Sequence, residues 1–400
     1  MDGVIIKNHK MKYQVVDGVG IIPDGVTKID DFAFSDCTSL TNIVIPEGVT
    51  VIGRHAFSGC TSLTSVVIPE GVTVIGGSAF ENCTFLTSIV IPEGVTEIGE
   101  YVFSSCLSLT SVVIPEGVTK IGVSAFSDCL SLTSIEIPSS VTEIGDSAFE
   151  GCTSLTSVVI PEGVTKIGVS AFSDCASLTS IEIPSSVTEI EVCPWSSAIA
   201  FLGCPSLTSI VVKEGNSVYD SREGCNAIIE TATNKLIIGC NSTIIPSSVT
   251  KIRLSAFERS SLTSIVVEEG NSVYDSREGC NAIIETTTNK LIYGCNSTII
   301  PSSVTKIIVK AFYGCTSLTS IVINGKIKKI DYTFYNCTAL ESITLPAGVN
   351  RIDSEAFEGC TSLKVINVPA KKKDYYIQRF SEKFHPLIVE MEPIKKAKKK

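Results

Sequence analysis

Proline returns every 23 residues in this chain, at Pro23, Pro46, Pro69, Pro92, Pro115, Pro138, Pro161 and Pro184. Cysteine keeps the same step from Cys37 to Cys175, and phenylalanine from Phe34 to Phe172. A fixed period of this length marks a stacked repeat architecture, because one unit buries too little apolar surface alone and needs neighbours on both sides. The repeat therefore overrides the two or three globular domains that 400 residues would otherwise suggest. A composition of 44% apolar and 18% charged residues supplies ample material for burial.

One unit runs from Ile45 to Val67. Leu63-Thr64-Ser65-Val66-Val67-Ile68 alternates inward and outward positions and predicts a strand, and Val49 to Ile52 predicts a second, shorter one. Ile45-Pro46-Glu47-Gly48 reads as a type I turn with Pro at the second position and Gly at the fourth. Ala56 to Cys60 reads as a compact corner of one helical or 3-10 turn, with Phe57 plugging the core. Twelve such corners, the last five at Phe201, Phe257, Phe312, Phe334 and Phe357, predict twelve rungs.

The pattern I-P-x-x-V-T-x-I-x-x-x-A-F-x-x-C-x-S-L-T-S-I-x resembles the BspA-type leucine-rich repeats of bacterial and protist surface proteins, over roughly residues 15–369. The resemblance implies a right-handed curved solenoid, β-rich, with a parallel sheet on its concave side and short helical or 3-10 corners. It also implies roles in adhesion and protein binding.

The expected organisation is an N-terminal hairpin cap over residues 1–22, the solenoid over 23–369 and a C-terminal cap with a basic tail over 370–400. The first cap is read as a hairpin of residues 2–7 and 11–16. Two near-identical hairpin insertions, 213–245 and 268–300, interrupt the solenoid. In the last segment Tyr376, Ile377 and Phe380 suggest a short amphipathic helix, and residues 385–390 an edge strand.

Chemistry is sparse. His9, His55 and His385 are scattered, zinc-ligand spacing is absent, and no nucleophile elbow, P-loop or H-E-x-x-H motif occurs. No catalytic residue, metal or cofactor is therefore assigned, and the chain is read as non-enzymatic. A hydrolase site at the irregularity 191–225 is a minor alternative. Net charge is −10 although residues 370–400 hold ten Lys/Arg against four Asp/Glu, so the body is strongly acidic and nucleic acid is not expected as a partner. No apolar run approaches about 18 residues, so no membrane insertion is expected. No basic segment followed by an apolar stretch opens the chain, which reads as cytoplasmic by default, or as surface-located if a leader has been removed.

Candidate binding residues come from two places. The outward strand position forms a stripe that includes Val67, Val90, Val113, Glu136, Val159 and Glu182, and an exposed apolar stripe marks interaction surfaces; β-propensity alone also explains it. Breaks in the repeat supply the rest: Trp195 in an insertion at 191–197, and Tyr219 and Arg222 in the first hairpin module. The latter two also read as a turn and salt-bridge cluster that fixes the hairpin. The expectation is a monomeric protein-binding scaffold, with a cell-surface adhesin for host matrix protein or glycan as the alternative. The ladder cysteines are expected buried and reduced, and Cys225/Cys240 and Cys280/Cys295 close across their hairpins.

Overall fold

The computed structural model describes residues 13–193, 198–323 and 326–392. Trp195, the predicted strand at residues 2–7 and the lysines from Lys395 onward lie outside them. The chain is a β-solenoid of stacked parallel strands and divides into two compact units, Met1–Asp220 and Ser221–Lys400.

In the first unit each repeat contributes one three- or four-residue strand, for example Asn42–Val44, Ser65–Val67, Ser88–Val90, Ser111–Val113 and Ser134–Glu136. They pair in parallel in short runs with residues 23 apart opposite one another, such as Ile43 with Val66 and Val90 with Val113. The middle residue of each points inward and its two neighbours outward. Two-residue strands such as Val51–Ile52 and Lys120–Ile121 make a second row. At the start of the described residues, Gln14–Val16 pairs antiparallel with Val19–Ile21; the first strand of the expected hairpin, residues 2–7, lies outside them.

The corners differ from the helical or 3-10 turn the composition favours. Ala56, Ser58 and Cys60 each donate to the carbonyl three residues earlier, but His55 and Gly59 have φ of 53° and 72°. Left-handed residues recur in many rungs just before the residue that precedes the corner Phe, at Ser78, Tyr101 and Ser124, and just before the Cys, at Asp36, Asn82 and Asp128. A helix tolerates no such alternation, and Asp36, Asn82 and Asp128 before the Cys are residue types that meet the αL requirement at low cost. The corner is thus a chain of tight turns locked to its neighbour: Phe34 N–H donates to Ala56 O at 2.7 Å and Phe57 N–H to Ala79 O at 2.8 Å.

The proline turn also shifts by one residue. Val49 N–H donates to Pro46 O at 3.0 Å, so proline opens the hydrogen-bonded turn. Proline has no N–H for the ladder, and it sits where the strand has just ended.

Inside, the phenylalanines stack. Phe34, Phe57, Phe80, Phe103, Phe126, Phe149, Phe172 and Phe201 form one column with centroids 5.2–5.6 Å apart, and Tyr13 covers its first ring. Each buried ring or aliphatic chain contributes about 1.5–3 kcal/mol, which is how a unit with no core of its own becomes stable. Glycine is required where rungs touch through their backbones. A Cβ on Gly76 would lie 2.6 Å from Arg54 N and one on Gly122 2.8 Å from Ile98 O. Asp30 holds the same place in an early repeat, and Gly53 of the following rung is the residue that packs on its backbone.

The second unit contains the two modules. Ala227–Glu230 and Lys235–Gly239 form an antiparallel hairpin, and Ala282–Glu285 with Lys290–Gly294 repeats it. Gly239 N–H donates to Ala256 O at 3.0 Å and Gly294 N–H to Ala311 O at 2.9 Å, the bond that phenylalanine makes elsewhere. Each hairpin therefore takes the place of a corner. A Cβ at Gly239 would fall 2.0 Å from the ring of Phe257, so the next rung's ring occupies the space that glycine leaves. Cys240 donates to Asn226 O at 3.3 Å, Cys225 lies 3.9 Å from Ala227 O, and all sixteen cysteines are free thiols. Beyond the modules the column resumes with Phe312, Phe334 and Phe357 and ends on Phe380. A helix at Lys373–Ile377, a 3-10 segment at Glu382–Leu387 and a strand at Ile388–Glu390 close it, the strand pairing in parallel with Val365–Val368. The strand is shorter than residues 385–390 because Pro386 lies in the 3-10 segment.

Candidate binding surface

In the first unit the outward position of each strand carries an exposed aliphatic or a carboxylate. Val44, Val67, Val90, Val113, Val159 and Val211 are exposed, from 42% at Val211 to 80% at Val67. Glu136 pairs with Val159 and Glu182 with Val211, so the two glutamates interrupt the stripe in register. Strand spacing sets the step at about 4.8 Å. Serines at 65, 88, 111, 134 and 157 flank the stripe on the same strands.

Three residues further along each repeat, just after the proline, lies a second outward row. Glu47, Glu70, Glu93, Glu116 and Glu162 are all exposed. Where the stripe carries Glu136 or Glu182, this row carries Ser139 or Ser185 instead. Every repeat from Val44 to Glu182 thus presents one carboxylate at one of two neighbouring places. Ser139 donates to Glu116 at 3.1 Å and Ser185 to Glu162 at 2.9 Å. Lys213 spans both rows, with Nζ 3.0 Å from a Glu182 oxygen and 3.3 Å from a Glu162 oxygen. The Ser185 hydroxyl, with Lys213 beside it, holds Glu162 below the ordinary carboxylate range, and the bond to Glu182 lifts Lys213 above that of lysine.

Tyr219 and Arg222 do different work. Tyr219 is buried and its hydroxyl accepts the Ile190 N–H at 3.1 Å. Asn216 holds the same turn by donating to the Pro184 and Val187 carbonyls at 2.9 Å. In the second unit Arg222 donates to Asn234 Oδ1 at 2.8 Å across its hairpin, and Arg277 repeats this with Asn289 at 2.7 Å while pairing with Asp275. These contacts are what a structural clamp makes. Val67, Val90, Val113, Glu136, Val159 and Glu182 are brought onto one face.

Two features of the turn side escaped the sequence reading. A cleft of about 460 Å³ is lined by Glu81, Tyr101, Ser104, Ser124, Ser127, Asp128, Glu150, Gly151 and Asp174. Ser104 and Ser127 hydrogen-bond each other at 2.8 Å, and no histidine, lysine or cysteine stands among the lining residues to activate a serine. In the second unit Tyr313, Tyr332 and Tyr335 lie parallel with centroids 4.7–6.3 Å apart, and Lys310 sits 4.8 Å above Tyr313. Tyrosine directly after the corner phenylalanine at both 313 and 335 was the signal. Among the described residues no group of His, Cys, Asp and Glu is placed to hold a metal ion, and no helix is long and apolar enough to cross a membrane.

No curated protein matches the chain. A leucine-rich repeat protein from Bacteroides ovatus ATCC 8483 is 30% identical over 93% of this chain and 83% of its own, with a TM-score of 0.49. A leucine rich cell surface protein from Faecalibacterium prausnitzii A2-165 is 25% identical over 94% of this chain and 97% of its own, with a TM-score of 0.52. The model of the BspA type leucine rich repeat region matches residues 20–133, 119–238, 197–284 and 283–385. With that match covering most of the repeats, and with the stacked parallel strands that carry them, the chain belongs to the BspA-type leucine-rich repeat family.

Proposed function

We propose that this repeat scaffold is a non-enzymatic protein-binding module that works through the strand face of its first unit. One observation carries the reading: the exposed row Val44, Val67, Val90 and Val113, in which Val44 pairs in register with Val67 and Val90 with Val113. Single exposed aliphatics are ordinary, but a contiguous row is the kind of surface that interaction sites use. Residues 1–22 and 370–400 are assigned to the ends as caps, in keeping with the need of any open solenoid for closed edges.

The test is a pull-down from native lysate with the parent chain and with a Val113→Glu, Val159→Glu variant. Glutamate is already tolerated at Glu136 and Glu182, so the variant retains its fold. A partner using this face binds it about tenfold more weakly, roughly 1.4 kcal/mol. Equal affinity of parent and variant for every recovered partner refutes the reading.

The second reading is a cell-surface adhesin presenting the same face. It is favoured by the likeness to the Faecalibacterium prausnitzii protein, which is described as a cell surface protein. Fractionation of native cells separates the two: protease-accessible protein on intact cells supports surface display, and protein confined to the lysate rules it out.

A further inference from the structure

We propose that the strand face of the first unit receives a cationic amphipathic helix, laid across the strands with its apolar side on Ile21, Val44, Val67, Val90 and Val113 and its basic flank along Glu47, Glu70, Glu93 and Glu116. This deepens the protein-binding reading above and rests on it.

The apolar half of the site is the run of exposed side chains from Ile21 to Val113, with Ile21, Val44 and Val67 in register on one set of paired strands and Val90 with Val113 on the next. Its rungs are about 4.8 Å apart, close to the 5.4 Å pitch of an α-helix and well short of the two-residue repeat of a strand, about 6.6–6.8 Å. A helix lying across the rungs therefore offers one aliphatic side chain per rung, and over four steps the drift is only about 2.4 Å.

The charge of the partner follows from the neighbouring row. Glu47, Glu70 and Glu93 are exposed and have no ion-pair partner among the described residues. The lysines of the adjacent two-residue strands are engaged elsewhere, Lys120 with Glu143 and Lys166 with Glu191. The molecule also holds an internal version of the proposed contact. Lys213 places one ammonium between Glu182, on the stripe, and Glu162, on the acidic row. A lysine or arginine on a docked helix reaches the corresponding place in earlier rungs, where no cation among the described residues pairs with Glu47, Glu70 or Glu93. The exchange of Val-x-x-Glu for Glu-x-x-Ser at Glu136 and Glu182 keeps one carboxylate in each repeat, so the acidic edge continues even where the apolar stripe is interrupted. Burying the stripe supplies affinity, and the acidic edge selects the sign of the partner and its direction of approach.

The probes are two helical model peptides of about 18 residues, both with leucine on one side, one flanked by lysine and the other by glutamate. They are titrated against the full chain and three variants: Val67→Ser with Val90→Ser, Glu70→Gln with Glu93→Gln, and the turn-side control Glu81→Gln with Glu150→Gln. The lysine peptide is expected to gain helical circular dichroism on binding. The stripe variant weakens it about tenfold. The Glu70/Glu93 variant weakens it several-fold at about 0.05 M salt, and the difference disappears near 0.5 M. The turn-side control leaves binding unchanged.

If the control weakens binding as much as the Glu70/Glu93 variant, the attraction is general net charge and the proposal is overturned. If the glutamate peptide binds as tightly as the lysine peptide and the stripe variant still weakens both, the cationic partner is refuted while the strand-face reading stands. If the stripe variant binds the lysine peptide like the parent, the strand-face reading itself fails. Binding without gain of helix overturns the helical partner.

Discussion

The Cys83 thiol donates to the Phe57 carbonyl oxygen, 3.2 Å away and 26 residues earlier in the chain. Cys60 does the same with Phe34 at 3.1 Å, Cys106 with Phe80 at 3.2 Å and Cys129 with Phe103 at 3.3 Å. The cysteine ladder is thus a set of small buried donors, each adding a second hydrogen bond to a Phe carbonyl of the preceding rung that already accepts its own corner's N–H, which gives the thiol a place where no disulfide forms.

Burial pushes the ladder thiols from Cys60 to Cys175 up, Cys106 and Cys152 to about 12, against an ordinary value of 9.0. Native protein at about pH 8 should leave these thiols unlabelled by an aromatic disulfide reagent, and denaturant should expose them all. A raised acid pKa stabilises the fold fully below the unfolded value and loses that contribution as pH climbs to the folded one. Thermal midpoints should therefore fall between pH 9 and about 12, and less steeply in a variant with Cys106→Ala and Cys152→Ala.

Phe126 sits in the middle of the ring column, fully buried, 5.4 Å from Phe103 and from Phe149. Phe126→Ala removes a ring that neighbouring rungs cannot replace, and chemical denaturation should report a loss of about 3–5 kcal/mol. Phe85 is 60% exposed, and Phe85→Ala should change stability by less than about 0.5 kcal/mol.

Gly76→Ala would push a Cβ to within 2.6 Å of Arg54 N and 2.7 Å of the Gly53 carbonyl carbon. Backbone cannot swing aside like a side chain, so the rungs must part, at a cost of about 1–3 kcal/mol. At Gly48 the nearest atom to an added Cβ is Val26 O at 3.9 Å. Gly48→Ala should be tolerated, and the contrast between the two melting curves tests whether rung contact, rather than glycine itself, is the constraint.

Glu136→Val with Glu182→Val would make the apolar stripe continuous from Val44 to Val211. The Lys213 pair it removes is exposed, so stability should move by less than about 1 kcal/mol. Solubility should not survive as well, because a longer uninterrupted apolar face invites association. Sedimentation of the variant should show concentration-dependent oligomers at protein levels where the parent shows none.

The period alone determined the architecture. Leu, Ile, Val and Phe at 23-residue steps have no stable arrangement except stacking with themselves, so the family, the parallel strands and the buried phenylalanines were legible without coordinates. The inward and outward assignment of Val66 and Val67 was legible for the same reason, since a strand has only two faces. The corner conformation was not, because a left-handed backbone at Phe32 or Tyr101 runs against the preference of those bulky residues and is held by hydrogen bonds to the neighbouring rung. Nor was the substitution of Gly239 and Gly294 for corner phenylalanines, which depends on where the next rung's ring comes to rest. The reach of Lys213 to Glu162 and Glu182 was invisible too, since those residues are 51 and 31 positions away and only stacking brings them to one ammonium. Periodicity records what each residue has in common with its repeats, whereas contacts between rungs depend on which variant of the repeat stands next to which.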